Sequence, residues 1–239
     1  MEAPLTDIGK WPVLEALSKK LRVILDISHV SLGVVGSLTL KWSITRVLSH
    51  LHGDHAGGLK DLVTEAPHIP IYVSREHWEA FGKHPFYAGI QGCTPQHWPQ
   101  DFAPNILEYS DHAVGPWKQS YNITSDQRVV VVDTPGHVPG HISLVVYGDN
   151  DDGTRTVYFL TGDATYGLDL LETEEPDGIN DDPEMALQSL ELIKEFARQT
   201  DLVVLPSHDV DTPRLLRERV AYKQNTQQAP ATQVSSAMG

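Results

Sequence analysis

The sequence predicts an α+β protein folded as a single domain over residues 1–223, and three observations carry that reading. Apolar runs of four to eight residues, rich in Val, Ile and Leu and bounded by Gly and Pro, recur along the chain and read as strands. Helical apolar spacing separates several of them, most clearly over 183–200. At 239 residues the chain is long enough to bury a sizeable core, and its one cysteine, Cys93, excludes an intramolecular disulfide or a cysteine-built zinc cluster.

The elements follow in order. Pro12 opens a helix whose apolar residues are Val13, Leu14, Leu17 and Leu21. Residues 22–27 read as a short strand, 31–40 match neither period, and 44–49 form a second strand. A Gly-rich turn leads into a helix over 59–65. After Pro67 comes a strand over 69–73, and Ser74 caps a short helix reaching Phe81. Residues 82–117 are irregular, punctuated by Pro85, Pro95, Pro99, Pro104 and Pro116; the aromatic content argues for a packed lid. Trp78, Phe81, Phe86, Tyr87, Trp98 and Phe102 either line an apolar channel or form ordinary core beneath a long loop. Strands are expected over 128–133 and 141–147, the latter joined through a polar turn to a hairpin partner over 154–160. Residues 168–182 hold seven acids and no base and read as a solvated loop. The amphipathic helix over 183–200 precedes a last strand over 202–205, and Thr212 is expected to cap a helix opened by Pro213. Residues 224–239 are polar and rich in Gln and Ala, the composition of a disordered tail.

Charge narrows the function classes. Eighteen basic against thirty-two acidic residues leave a net −14, which opposes binding to nucleic acid or an anionic membrane. Residues 1–10 carry two acids and no apolar core, unlike a secretory signal, and no apolar run approaches the roughly 20 residues that span a bilayer. A cytoplasmic monomer or homodimer acting on a small molecule is the expectation. Cys93 reads as a small buried hydrophobe rather than a nucleophile.

The chemistry gathers around the twelve histidines. Ser49-His50-Leu51-His52-Gly53-Asp54-His55 places four ligand-type side chains in six positions just after an apolar strand. His50 and His52 alternate by two and face one side of extended backbone, while Asp54 and His55 fall on the turn opening the next helix. One turn can thus offer two imidazoles to one metal and an imidazole plus a carboxylate to another. Three further segments supply what such a centre lacks. His137 in Asp133-Thr134-Pro135-Gly136-His137 adds a third imidazole, and His141, four residues on, is either a ligand or a structural histidine. Asp163 in Thr161-Gly162-Asp163 has two oxygens and can bridge two cations, and His208 in Pro206-Ser207-His208-Asp209 completes the second metal. Each follows an apolar strand, the end at which α/β proteins favour ligand sites. His77, His84, His97 and His112 read as surface or supporting groups.

With these residues in place, the chain resembles the metallo-β-lactamase-fold hydrolases, whose His-x-His-x-Asp-His signature stands at His50, His52, Asp54 and His55. Within that superfamily it is most similar to the quorum-quenching N-acyl-homoserine lactonases, through Thr-Pro-Gly-His-x-Pro-Gly-His at 134–141, Asp163 followed by Tyr166, and Ser-His-Asp at 207–209. The resemblance covers roughly 44–220. It implies an αββα four-layer sandwich, two mixed sheets face to face with helices outside. It also implies that His50, His52 and His137 bind one metal, that Asp54, His55 and His208 bind the other, and that Asp163 bridges them with a hydroxide. Tyr166 then points its phenol at a substrate carbonyl, and Asp54 passes a proton to the leaving alkoxide. The donors suit two Zn²⁺ ions, and equally Mn²⁺, Fe²⁺ or Co²⁺. The chain departs from the pattern near its start: 49 residues precede the signature, fewer than in such lactonases, and Asp26-Ile27-Ser28 lacks the glycine of the family's early turn. A shortened edge of the first sheet is the expectation.

The activity so implied is hydrolysis of a lactone, N-acyl-homoserine lactones first, by attack of a metal-bridging hydroxide. A thioesterase, glyoxalase-II-like or other carboxylic-ester hydrolase on the same scaffold is the second reading. A non-catalytic metal-binding module is the third, and predicts a missing ligand. A nuclease is disfavoured by charge, and a β-lactamase gives Asp163 no role.

Overall fold

The computed structural model describes residues 44–150 and 152–224, together with the backbone of 22–25. Two sheets organise them. The first, in spatial order, holds β1 (Arg22–Leu25), β2 (Ile44–Val47), β3 (Ile71–Val73) and β4 (Asn105–Ile106), all parallel. The second holds β5 (Tyr121–Asn122), β6 (Val129–Asp133), β7 (Ile142–Asp149), β8 (Arg155–Gly162) and β9 (Leu202–Pro206). Its pairings are antiparallel except β8 with β9. Only the second sheet is mixed among the described residues, where two mixed sheets were expected.

Three buried clusters alternate with these sheets, because consecutive strand residues point to opposite faces. Val129 and Val131 of β6 and Leu144 of β7 pack with Val47 of β2 between the sheets. Val130, Val132 and Val145 point the other way, onto Leu190, Ile193 and Phe196 of the long helix. Leu48, Ile71 and Val73 lie outside the first sheet against Leu59 and Leu62 of the helix at Leu59–Glu65, together with Phe81. The result is helix, sheet, sheet, helix, the four layers the resemblance implies. Both faces of β6 are covered, so Val129–Val132 reads as one unbroken apolar run.

The helices, in chain order, are α1 (Gly53–Ala56), α2 (Leu59–Glu65), α3 (Arg75–His77), α4 (Pro85–Ile90), α5 (Leu168–Thr173), α6 (Pro183–Gln199) and α7 (Thr212–Glu218). α2 keeps its expected bounds. Ser74 caps α3 by accepting the His77 N–H, and the chain continues as a wide π-turn over Trp78–Gly82. Three expectations are corrected. Residues 82–117 contain α4, a 3₁₀ turn at Pro95–His97 and β4, because Pro85 and Pro95 open helical turns instead of breaking them. Residues 168–173 are helical, since Leu171 is fully buried and anchors an otherwise acidic segment. Thr212 begins α7 rather than capping it; its hydroxyl donates to the Pro206 carbonyl at 2.7 Å. The helix expected over 13–21, the 26–28 turn, the unassigned stretch over 31–40 and the tail beyond 224 lie outside the described residues. No described helix is long and apolar enough to cross a membrane.

The topology brings the ligand-type residues together. β6 and β8 both run antiparallel to β7, and β9 runs parallel to β8, so β6, β8 and β9 end at one edge of the second sheet. The Ile142 N–H at the start of β7 donates to the Ser49 carbonyl beyond β2 at 3.3 Å, joining the first sheet to that same edge.

Candidate metal centre

Four loops meet at this edge. The loop after β2 carries His50 and His52, and α1 turns the chain so that His55 comes back to His50, ring centroids 4.2 Å apart. Loops after β6, β8 and β9 deliver His137, Asp163 and His208. Of the metal-ligand candidates from the sequence, all but His141 fall into two groups there. Ligand atoms of His50, His52 and His137 lie within 4.8 Å of one another, and so do those of Asp54, His55, Asp163 and His208.

In the first group the rings stand nearly perpendicular, with centroids 4.5 Å apart for His50–His52, 4.9 Å for His52–His137 and 5.0 Å for His50–His137. Nδ1 of His52 faces Nε2 of His137 at 3.1 Å. Donor nitrogens 2.0–2.1 Å from a tetrahedral zinc are about 3.3 Å apart, so this spacing is that of two ligands on one ion. His50 is fully buried; Nδ1 contacts the Ser49 hydroxyl at 3.0 Å, and Nε2 has no hydrogen-bond partner. A buried imidazole nitrogen without a partner carries a desolvation cost, and a cation is what would relieve it. Burial lowers the pKa of all three, His137 to about 4 and His50 well below the ordinary histidine value. They are neutral near pH 7, the form that binds metal.

Asp163 links the groups. Its side chain is 1% exposed; Oδ1 lies 3.0 Å from Nε2 of His55, and Oδ2 lies 3.3 Å from His208, 3.6 Å from His137 and 3.8 Å from His50. Burial pushes its pKa up, but His55, His141 and His137 outweigh that and leave it below the usual carboxylate value. Asp54 faces outward; Oδ2 is 3.3 Å from His208 and 3.5 Å from His55, and His55 holds its carboxyl well below the usual range. Tyr166 lies over both groups, its ring 4.7 Å from His208 and 6.0 Å from His137. Burial, then Asp163, Asp177 and Asp54, push its phenol up, so it keeps its proton.

His141 is not in either group. Its Nε2 accepts the Asp163 N–H at 3.0 Å and its Nδ1 lies 3.0 Å from the Thr134 carbonyl, so it is the structural histidine of the two readings. Gly162, at φ +56°, lets this happen: a Cβ there would sit 2.8 Å from Nε2 of His141 and 2.9 Å from Cβ of Ser49. Sequence reasoning missed one neighbour, Asp177, and left a second, His77, undecided between a surface and a supporting role. Asp177, half-buried with its pKa raised by burial and then by Asp163, sits in the segment read only as an acidic loop. His77 is fully buried and held by two backbone partners, with no local pattern to mark it. Of the aromatic residues proposed for an apolar channel, Phe81 is core, with Trp78, Trp98 and Phe102 packed on it, whereas Phe86 is 84% and Tyr87 43% exposed. One of the six is thus buried core, three are partly buried against it and two are exposed. Cys93 is buried, and burial pushes its thiol up to about 12, as expected of an inert hydrophobe.

The Metallo-beta-lactamase superfamily profile matches residues 47–208, the span from β2 to His208. Curated relatives include an N-acyl homoserine lactonase of Bacillus thuringiensis, 29% identical over 175 residues, which are 72% of this chain and 58% of that protein. The N-acyl homoserine lactonase AttM of Rhizobium radiobacter is 30% identical over 165 residues, 69% and 57% of the two chains. Among solved structures, a single-site mutant of B. thuringiensis AiiA with N-decanoyl-L-homoserine bound at its active site superposes with a TM-score of 0.53 at 27% identity, over 71% of this chain and 57% of that one. The chain therefore spans a little over half the length of the relatives it matches. With the signature, the layering and the profile in agreement, the chain belongs to the metallo-beta-lactamase superfamily.

Proposed function

We propose that the chain is a dinuclear metal-dependent hydrolase of cyclic carboxylic esters, with N-acyl-homoserine lactones as the leading substrates. His50, His52 and His137 would hold one divalent cation and Asp54, His55 and His208 the other, with Asp163 shared. The observation that carries this reading is Asp163: one buried carboxylate within 4 Å of an imidazole nitrogen of His50, His55, His137 and His208. The absence of thiolate donors suits Zn²⁺ and also Mn²⁺, Fe²⁺ or Co²⁺. Two such cations supply an acidified water and an electrophile for the carbonyl oxygen.

The chain's own groups do the rest. Tyr166 keeps its phenolic proton and donates a hydrogen bond to the carbonyl oxygen as negative charge develops there. Asp54, more than half exposed at the mouth of the site, takes up the proton released from the attacking water and passes it to the departing alkoxide. His141 holds the backbone of Asp163, so the shared carboxylate keeps its place during turnover. The relatives named as N-acyl homoserine lactonases support the substrate class, and the net −14 charge supports a small-molecule substrate over a nucleic acid. A reducing compartment, the cytoplasm, fits the single buried thiol.

The test is ring opening followed with a pH indicator, using protein loaded with Zn²⁺ or Co²⁺. Short- and long-chain acyl homoserine lactones, simple γ- and δ-lactones and a thioester are compared. Turnover of acyl homoserine lactones above the others is the expected result. Turnover of the thioester alone replaces the lactonase reading with a thioesterase, and hydrolysis of none removes the enzymatic reading.

A further inference from the structure

We propose that His77 is a positioning residue of this centre: its ring braces the two loops that carry His50, His52 and His137 and so sets the spacing of the all-imidazole half. The inference rests on the metal-dependent reading above. His77 lies on α3, away from every strand end that supplies a ligand. Its Nε2 accepts the N–H of Leu51 at 2.9 Å, and Leu51 is the residue between His50 and His52. Its Nδ1–H donates to the carbonyl of Pro139 at 2.8 Å, two residues beyond His137. Both ring nitrogens are therefore committed, to partners 26 and 62 residues away in sequence.

The fit behind the ring is as close as the fit in front of it. Ser74 accepts the His77 N–H at 3.2 Å and donates its own proton to the Gly140 carbonyl at 2.5 Å. Gly140, at φ +64°, has no room for a side chain: a Cβ would lie 2.4 Å from the His77 nitrogen and 2.7 Å from Oγ of Ser74. The 137–141 turn is thus seated directly on α3. The buried site calls for a side chain that accepts at one end and donates at the other. Neutral histidine does this, and glutamine offers the same pair of functions. Lysine and arginine have no acceptor, and an apolar ring leaves the Leu51 N–H and Pro139 carbonyl without their partner. Relaxing that strain moves one loop against the other, and with it the Nδ1 of His52 against the Nε2 of His137.

The test is Co²⁺ titration of the full-length chain followed by visible absorption, with His50→Ala and His208→Ala supplying reference spectra for each half. His77→Phe keeps a planar ring against Phe81, now 4.8 Å away, and removes both hydrogen bonds. It is expected to weaken the cation at the imidazole half about 10–100-fold while the other stays within about threefold of the parent. His77→Gln is expected to regain much of that loss, and Ser74→Ala to show the same selectivity at smaller size. Unchanged binding of both cations in folded His77→Phe overturns the proposal, as does equal weakening of both. Should His77→Phe fail to fold, His77→Gln and Ser74→Ala decide: selective weakening at the imidazole half supports the brace, and parental or evenly reduced binding overturns it. A parent chain that binds no Co²⁺ defeats the metal reading itself, whereas two bound cations indifferent to residues 74 and 77 defeat only the brace.

Discussion

The two halves of the centre are built from opposite materials. His50 and His137 are buried imidazoles and His52 is half-buried beside them, and two further buried histidines, His77 and His141, hold the surrounding backbone. The other half mixes carboxylates with imidazoles: His55 and Asp163 are buried, while the Asp54 and His208 side chains open outward, 53% and 37% exposed. Burial decides the difference. A dry pocket cannot hold charged imidazoles, so the inner half offers lone pairs. The wet rim tolerates the ionised Asp54, which can exchange protons with substrate and solvent. Under the proposed chemistry, fixing geometry and handling protons are separated between the two halves, with Asp163 common to both.

The sharpest way to break that division is to remove what the halves share. Asp163→Asn keeps the shape but removes the negative charge and turns one of the two oxygens into an NH2, so both groups lose a carboxylate within 4 Å. Bound metal is expected to drop below two per chain and lactone hydrolysis to fall by about 10³-fold, some 4 kcal/mol of barrier. Metal analysis beside initial rates reads this directly; full metal content with parental rates would leave Asp163 no bridging role.

A paired substitution comes next in size. His50→Ala and His208→Ala each delete one candidate ligand and are each expected to cost one cation, yet their effects on the metal-free fold differ. His50 is fully buried, and its loss leaves a cavity worth about 2 kcal/mol of stability. His208 is on the rim, and its loss is expected within about 0.5 kcal/mol of the parent. Urea midpoints measured in chelator check the difference. Equal midpoints would mean that the inner half is not the structural one.

What the sequence made legible follows the same division between local and distant causes. His50, His52, Asp54 and His55 could be read because strand alternation and one short helix bring them together within six positions. His137, Asp163 and His208 were recoverable because each follows an apolar strand, although their meeting depends on β6, β8 and β9 running the same way. The acidity of 168–182 hid a helix held by the one side chain Leu171, and prolines that open helical turns disguised 82–117 as irregular. His77 had no local signature, since its partners Leu51 and Pro139 become neighbours only after the sheets pack. A histidine three residues into a capped helix is ordinary until the fold shows what its nitrogens touch.

That hidden role has a thermodynamic signature, smaller than the effects above. His77 and His141 are both depressed by burial to about 3, against an ordinary 6.5. In the unfolded chain each takes up a proton as pH falls through 6.5, while in the folded chain each stays neutral until about 3. The unfolded state therefore binds more protons across that window, so stability is complete above 6.5 and declines as pH falls toward 3. The slope approaches about 1.4 kcal/mol per pH unit for each histidine, or about 2 kcal/mol lost by pH 5, above the range where carboxylates contribute. His77→Gln has no proton to gain there. Relative to the parent, metal-free His77→Gln is expected to lose about 2 kcal/mol less between pH 8 and pH 5, as read from urea unfolding at each pH. Parallel pH profiles for the two proteins would show that residue 77 is not held dry and neutral behind the centre, and the contrast between a buried inner half and an open rim would lose its support.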